Sequence, residues 1–197
     1  MNIYVFEDQK SLNFEPLSLT RPVFDIRIGS ENFLERIQFL FPNSDITIFV
    51  REDLEEITRD KYPNFNVNPQ SIDDGLWLLG NVIWEQDDLS NLTEENSIYY
   101  YKNNFVAANL NSDQGKQWLK DGGPTHTIPE IKNKCNIEVG YCEYLWEIIE
   151  SIPNTISYES NYFHNDINSS KDFDTVHFDS KNLFFKKCSI QKNVFFD

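Results

Sequence analysis

Pro16-Leu-Ser-Leu-Thr-Arg-Pro-Val-Phe-Asp-Ile-Arg-Ile-Gly29 lies between two regular elements and reads as neither. Pro16 and Pro22 each fix φ and remove a backbone donor, so the first half is loop. Val23, Phe24, Ile26 and Ile28 then form an apolar run that stops at Gly29. Upstream, Asn2-Ile-Tyr-Val-Phe6 is β-branched and aromatic and reads as a buried strand, ended by Glu7 and Asp8. Downstream, Ser30 is placed to cap a helix from Glu31, in which Phe33, Ile37, Leu40 and Phe41 share one face. Pro42-Asn43 stops that helix, and Asp45-Ile-Thr-Ile-Phe-Val50 supplies a second strand. Residues 2 to 50 therefore predict strand, long loop, helix, strand, which is a βαβ unit.

Further along, Glu52 to Lys61 is a charged helix candidate, and Pro63 to Pro69 reads as a connecting loop. Gly75-Leu-Trp-Leu-Leu-Gly-Asn-Val-Ile-Trp84 has the near-continuous apolarity of a central strand. Its break at Gly80-Asn81 falls where strands of open α/β sheets present groups to ligands. Ile98 to Tyr101 and Phe105 to Ala108, joined by Lys102-Asn-Asn104, predict a hairpin. Short helices are expected near Gln114 to Lys120 and over Glu143 to Ile152, and Gly122-Gly-Pro124 reads as a turn. Ser157 to Ser180 is polar with no strong period and reads as a junction. Leu183-Phe-Phe185, Cys188-Ser-Ile190 and Val194-Phe-Phe196 then repeat closely, as in a solenoid coil. Such a coil cannot bury its apolar face alone, so the natural protein is expected to continue beyond Asp197.

The chain has 197 residues, with 32 Asp and Glu against 17 Lys and Arg, and a net charge of -15. That balance argues against a nucleic-acid binder held by phosphate contacts. There is no apolar run of the ~18 residues that span a bilayer and no leader-like start, so no membrane partner is expected and the location is expected to be cytoplasmic. Cys135, Cys142 and Cys188 form no CxxC pair and are expected to be reduced and structural. His126, His164 and His177 lack zinc-site spacing, and neither a Walker-type loop nor a Gly-x-Ser-x-Gly elbow occurs. Tyr99-Tyr-Tyr101 reads as hairpin packing.

The Pro16 to Gly29 stretch resembles the segment of sugar-phosphate nucleotidyltransferases that reads Pro-Leu-Thr, two residues, Arg-Pro-Lys and an apolar run to Gly. In the same gap-free frame Ile3 to Phe6 falls on that family's first strand, and the helix from Glu31 on the helix after its loop. The likeness is greatest to bacterial proteins resembling N-acetylglucosamine-1-phosphate uridylyltransferase, in which a nucleotidyltransferase-like domain precedes a left-handed β-helix. The resemblance implies an α/β, Rossmann-like domain with a mixed, mostly parallel sheet over residues 1–165, a polar junction over 166–180 and a truncated β-helix coil over 181–197. It also implies a homo-oligomer assembled through the β-helix.

The implied reaction joins a nucleoside triphosphate and a sugar 1-phosphate into a nucleotide sugar, with pyrophosphate released and Mg²⁺ neutralising phosphate charge. The same resemblance gives Arg21 and Arg27 catalytic roles and has Glu7, Asp8, Thr20 and Asn81 bind nucleotide or substrate. Asp8 and Asn81 would also hold the metal. The departures are specific. Asp8 and Gln9 stand where the family has paired glycines, Asn13 where it has a loop Arg, Val23 where it has Lys and Asn81 where it has the metal-binding Asp. Each loss removes a phosphate contact or a charge that the transfer needs. A non-catalytic domain that binds a nucleotide sugar or positions an acyltransferase-type β-helix is the competing reading. A ligand-free structural domain, with Arg21 buried in an ion pair, is the third.

Overall fold

The computed structural model describes residues 1–167, 177–178 and 195–196. Its centre is a seven-stranded mixed sheet of order β3-β2-β1-β4-β7-β6-β8. The strands are β1 (Asn2–Phe6), β2 (Asp45–Phe49), β3 (Asn66–Val67), β4 (Gly75–Leu79), β6 (Ser97–Tyr101), β7 (Asn104–Leu110) and β8 (Asn133–Asn136). β3, β2, β1 and β4 run parallel, β7 is antiparallel to both β4 and β6, and β8 returns parallel to β6. A separate two-stranded ladder pairs β5 (Val82–Ile83) with β9 (Gly140–Tyr141).

Both faces of the central strands are covered. Ile3, Tyr4, Val5 and Phe6 are all buried, as a parallel strand in a doubly covered sheet requires. Tyr4 stacks on Trp77 at 4.4 Å between ring centroids, and Trp77 meets Phe49 at 4.9 Å and Trp118 at 5.0 Å. Trp118 belongs to the helix α4 (Ser112–Lys120), which holds this aromatic cluster down on the sheet. Val23, Phe24, Ile26 and Ile28 are in the core as well, so the apolar half of the Pro16 to Gly29 stretch is packing. Gly80 shows why it has no side chain: a Cβ there would lie 2.9 Å from Phe24 Cβ and 3.0 Å from the Phe6 carbonyl oxygen.

The helices are α1 (Phe33–Leu40), α2 (Glu55–Lys61), α3 (Gln86–Leu89), α4 and α5 (Leu145–Ile167). Three expectations are corrected. The cap of α1 is Asn32 rather than Ser30, because Asn32 and Glu35 form a reciprocal capping box; Ser30 instead donates its amide and hydroxyl to Glu159. Residues 63 to 69 are not loop throughout, since Asn66–Val67 pairs with β2. The helix expected to end at Ile152 continues past Pro153 to Ile167, so the first part of the polar interval is helical. Thr155 and Glu159 are buried there. Glu159 ties α5 to α1 by an ion pair with Arg36 at 3.3 Å. The 166–180 junction and the coil expected over 181–197 fall almost wholly outside the described residues. Within that range the described pieces are the end of α5 at Asp166 and Ile167, and β10 (His177–Phe178) and β11 (Phe195–Phe196), which pair parallel.

Candidate functional site

Parallel strands send all their carboxyl ends to one edge. From β1 the chain moves outward to β2 and β3, then crosses back to β4 on the other side of β1. The crevice above β1 and β4 is therefore a topological switch point, where open α/β sheets bind ligands. A cleft of about 1080 Å³ opens on this edge. Its wall includes Gln9 after β1, Arg51 after β2 and Asn68 after β3, with Lys116, Lys120 and His126 opposite. Lys116 and Lys120 are one turn apart on α4, and Gly122, in the left-handed region at φ +90°, turns the chain behind them. Glu52, Asp53 and Glu55 line the cleft as well.

Glu7 and Arg51 shape this cleft from beneath. Glu7 is fully buried; its carboxylate accepts from the Val23 amide at 3.1 Å and the Arg51 amide at 3.0 Å, and meets Arg51 Nε at 3.3 Å. Burial pushes its carboxyl above the ordinary range, and the Arg51 amide and guanidinium pull against that rise. Arg51 also donates to the Ser18 carbonyl at 2.6 Å. Together they clamp the loop that carries Thr20 and Arg21. Glu7 is thus fully engaged inside the protein, and Arg51, absent from the sequence-derived set, is its partner.

Asp8 and Lys10 lie in a second hollow of about 250 Å³. Gln9, Pro124, Thr125 and His126 line both hollows, so the two adjoin. Asp8 accepts from the Lys10 amide at 3.0 Å, and burial pushes its carboxyl upward against the pull of Lys10. The Lys10 ammonium bonds Asn104 at 2.6 Å and Glu143 at 2.8 Å. Where the family has a Gly-rich loop, residues Gln9–Phe14 form a 3-10 helix capped by Asp8.

Asn81 is buried at the end of β4, donating to the Cys142 carbonyl at 2.5 Å while its own carbonyl accepts from the Cys142 amide at 3.1 Å. Its Oδ1 and the nearby Tyr141 hydroxyl are both buried without a hydrogen bond of normal geometry. Burial raises the Tyr141 hydroxyl, and the charges of Asp8 and Glu143 add to the rise. Burial likewise pushes the Cys142 thiol up to about 12, in keeping with a structural cysteine.

Thr20 and Arg21 are exposed and line a different hollow, of about 310 Å³, with Asp25, Thr58, Lys61 and Tyr62. Arg21 has no ion-pair partner among the described residues, so it is not the buried pair of the ligand-free reading. Asp25 instead accepts from Lys61 at 2.5 Å and Tyr62 at 2.6 Å. Arg27 is exposed and donates to the Ser30 carbonyl. Asp8 and Asn81 both act on the Tyr141 hydroxyl, but the hollow that holds Asp8 is lined by neither Asn81 nor Arg21 nor Arg27. Lys116, Lys120 and Glu143 carried no local signal; Arg51 did, as a cation immediately after a predicted strand.

A divalent ion at Asp8 and Asn81 is a poor match to these donors. Mg²⁺ takes hard oxygens, with one or two carboxylates and phosphates completing an octahedron. Here Asp8 is tied to Lys10, the second acid Glu143 already binds the Lys10 ammonium, and the Asn81 oxygen is enclosed. Among the described residues no group of three or more His, Cys, Asp or Glu side chains is placed to hold a metal. No helix among them is long and apolar enough to cross a membrane.

A sequence-family model described as sugar nucleotidyl transferase matches residues 3–167. No curated protein matches the chain at a significant level. Among solved structures, the chain is similar to a protein from Bacillus anthracis described as a glucose-1-phosphate thymidylyltransferase in complex with a sucrose. Identity is 9% and the TM-score 0.43, over 78% of this chain and 94% of that one.

Proposed function

The chain belongs to the sugar nucleotidyl transferase family, and from that premise we propose that it binds a nucleoside triphosphate and a sugar 1-phosphate at the carboxyl edge of its sheet and joins them slowly. The observation that carries this reading is the 1080 Å³ cleft at the carboxyl ends of β1, β2 and β3, to which Arg51, Lys116, Lys120 and His126 bring basic side chains in a chain whose net charge is -15. The triphosphate lies along those cations, and the sugar phosphate enters the adjoining hollow at Lys10 and Asn104. Gln9 and His126, shared by both, mark where the two meet. A sugar-phosphate oxygen then attacks the α-phosphorus in line, the bond to the β-phosphate oxygen breaks, and pyrophosphate leaves. The protein contributes position and positive charge.

One observation favours a second reading, a nucleotide-sugar-binding domain without turnover. The 3-10 helix over Gln9–Phe14 turns the Lys10 and Ser11 amides inward onto Asp8, where the family's glycines would offer amides to phosphate. If the chain continues into a β-helix, this domain would serve as its partner, and the parallel pairing of β10 with β11 is compatible with a coil because parallel strands need a crossover.

A pyrophosphate-release assay across nucleoside triphosphates and sugar 1-phosphates, run beside thermal-shift binding, separates these. We expect turnover well below the enzyme median of about 10 s⁻¹ together with a nucleotide-dependent shift. Binding without turnover selects the second reading. No shift with any nucleotide or nucleotide sugar removes both.

A further inference from the structure

The metal misfit has a structural cause, and that cause is Lys10. Its ammonium hydrogen-bonds Glu143 Oε1 at 2.8 Å and Asn104 Oδ1 at 2.6 Å and lies 5.9 Å from the centre of the Tyr141 ring. It also exerts the attractive charge that opposes the effect of burial on the Asp8 carboxyl. Asp8, Glu143 and Asn104 come from three separate segments. Glu143 thus holds directly a monovalent cation supplied by the chain, and Asp8, in the same hollow, lies within reach of its charge. An ammonium has three donors and accepts nothing; two are placed on Glu143 and Asn104, which leaves one N–H for a ligand oxygen.

We propose that the Lys10 ammonium is a built-in cation at the end of β1 that receives a phosphate oxygen where relatives of this fold would use a divalent ion, so that ligand binding in this hollow needs no metal. The proposal rests on the nucleotidyltransferase reading for the identity of its phosphate ligand. Its charge arithmetic does not. Asp8 and Glu143 with Lys10 sum to one negative charge; without Lys10 they leave two, beside the amide oxygen of Asn104. That is the donor set a divalent ion takes.

The test uses Mn²⁺ as its own spectroscopic probe. Free and bound Mn²⁺ are counted by electron paramagnetic resonance on the wild type, Lys10→Met, Lys10→Arg and the double variant Asp8→Asn/Lys10→Met. We expect weak Mn²⁺ binding by the wild type and Lys10→Arg, binding at least about tenfold tighter by Lys10→Met, and loss of that gain in the double variant. Wild type already binding as tightly as Lys10→Met, or a folded Lys10→Met that gains nothing, overturns the proposal. Should Lys10→Met fail to fold, the wild-type affinity for glucose 1-phosphate, the ligand seated at Lys10, in excess EDTA and in excess MgCl₂ decides instead. Agreement within about threefold supports a metal-free site, and a loss of about tenfold or more in EDTA overturns it. If neither UTP nor glucose 1-phosphate binds under either condition, the nucleotidyltransferase reading fails by itself, and the Mn²⁺ comparison still decides the role of Lys10.

Discussion

Glu7 and Asp8 are adjacent carboxylates with opposite tasks. Glu7 faces inward, and removing it would leave the Val23 amide unpaired and take from the almost buried Arg51 guanidinium its buried carboxylate, leaving it the Ser18 carbonyl and the exposed Asp53. Breaking a buried pair by deleting one member costs about 3–5 kcal/mol. Glu7→Ala should therefore lower the urea-unfolding free energy by roughly that amount, and a loss below about 0.5 kcal/mol would mean the clamp is idle. Asp8 faces the hollow, and its carboxyl lies above the ordinary range chiefly because of burial. A raised folded-state pKa means the native protein binds the proton more tightly than the unfolded chain. The contribution of Asp8 to stability is thus full at low pH and declines as pH rises through the window above the unfolded carboxylate value of about 3.9. Asp8→Asn keeps the acceptor for the Lys10 amide and cannot ionise, so it should gain on the wild type between about pH 4 and pH 7 in urea titrations. If it loses ground over that range, pairing with Lys10 outweighs burial.

At the scale of elements, the Pro16 to Gly29 stretch is held by close approach of β4 to it. Gly80→Ala would drive a methyl into Phe24 and the Phe6 carbonyl, both within 3.0 Å of the new atom. Overpacking of this kind costs about 1–3 kcal/mol, and should appear as a lower melting temperature with an unchanged denaturant slope. This contact also explains what could be read from sequence. β1, β2, β4, the hairpin and α1 were legible because apolar alternation and periodicity are properties of the residues themselves. β3 and β8 were not: Asn66–Val67 and Asn133–Asn136 are short and polar, and only pairing with β2 and β6 makes them strands. The extension of α5 beyond Pro153 depends on Glu159 reaching Ser30 and Arg36, contacts more than a hundred residues apart in sequence. The site divides in the same way. Asp8 and Asn81 stand at ends of predicted strands, whereas Lys10, Asn104, Glu143, Lys116 and Lys120, from four segments, reach their two adjoining hollows only when the chain folds. The cap of α1 is Asn32 because the helix begins at Phe33 and Glu35 closes the capping box, while Ser30 bonds Glu159.

Across the whole molecule, a net charge of -15 repels a polyphosphate at long range, so binding in the main cleft has to come from cations close to the ligand. Lys120 is exposed without an ion-pair partner among the described residues, and Lys116 is hydrogen-bonded only to Ser112 Oγ, at 2.9 Å. Both are free to turn toward phosphate. A hydrogen bond to a charged group contributes about 1.5–3 kcal/mol. The double variant Lys116→Glu/Lys120→Glu should therefore weaken UTP binding by at least about tenfold in a calorimetric or thermal-shift titration. Charge reversal also makes the whole protein more acidic, and that general effect has to be separated from the local one. Lys132 is exposed and lines neither the main cleft nor the Lys10 hollow. Lys132→Glu therefore reports the general effect of one such reversal. We expect it to change UTP affinity by less than about twofold, and less still at about 0.1 M salt, where the screening length of about 10 Å isolates the cleft from distant charge. Equal losses from Lys132→Glu and from Lys120→Glu alone would place the effect in the overall field and remove these lysines from the triphosphate site.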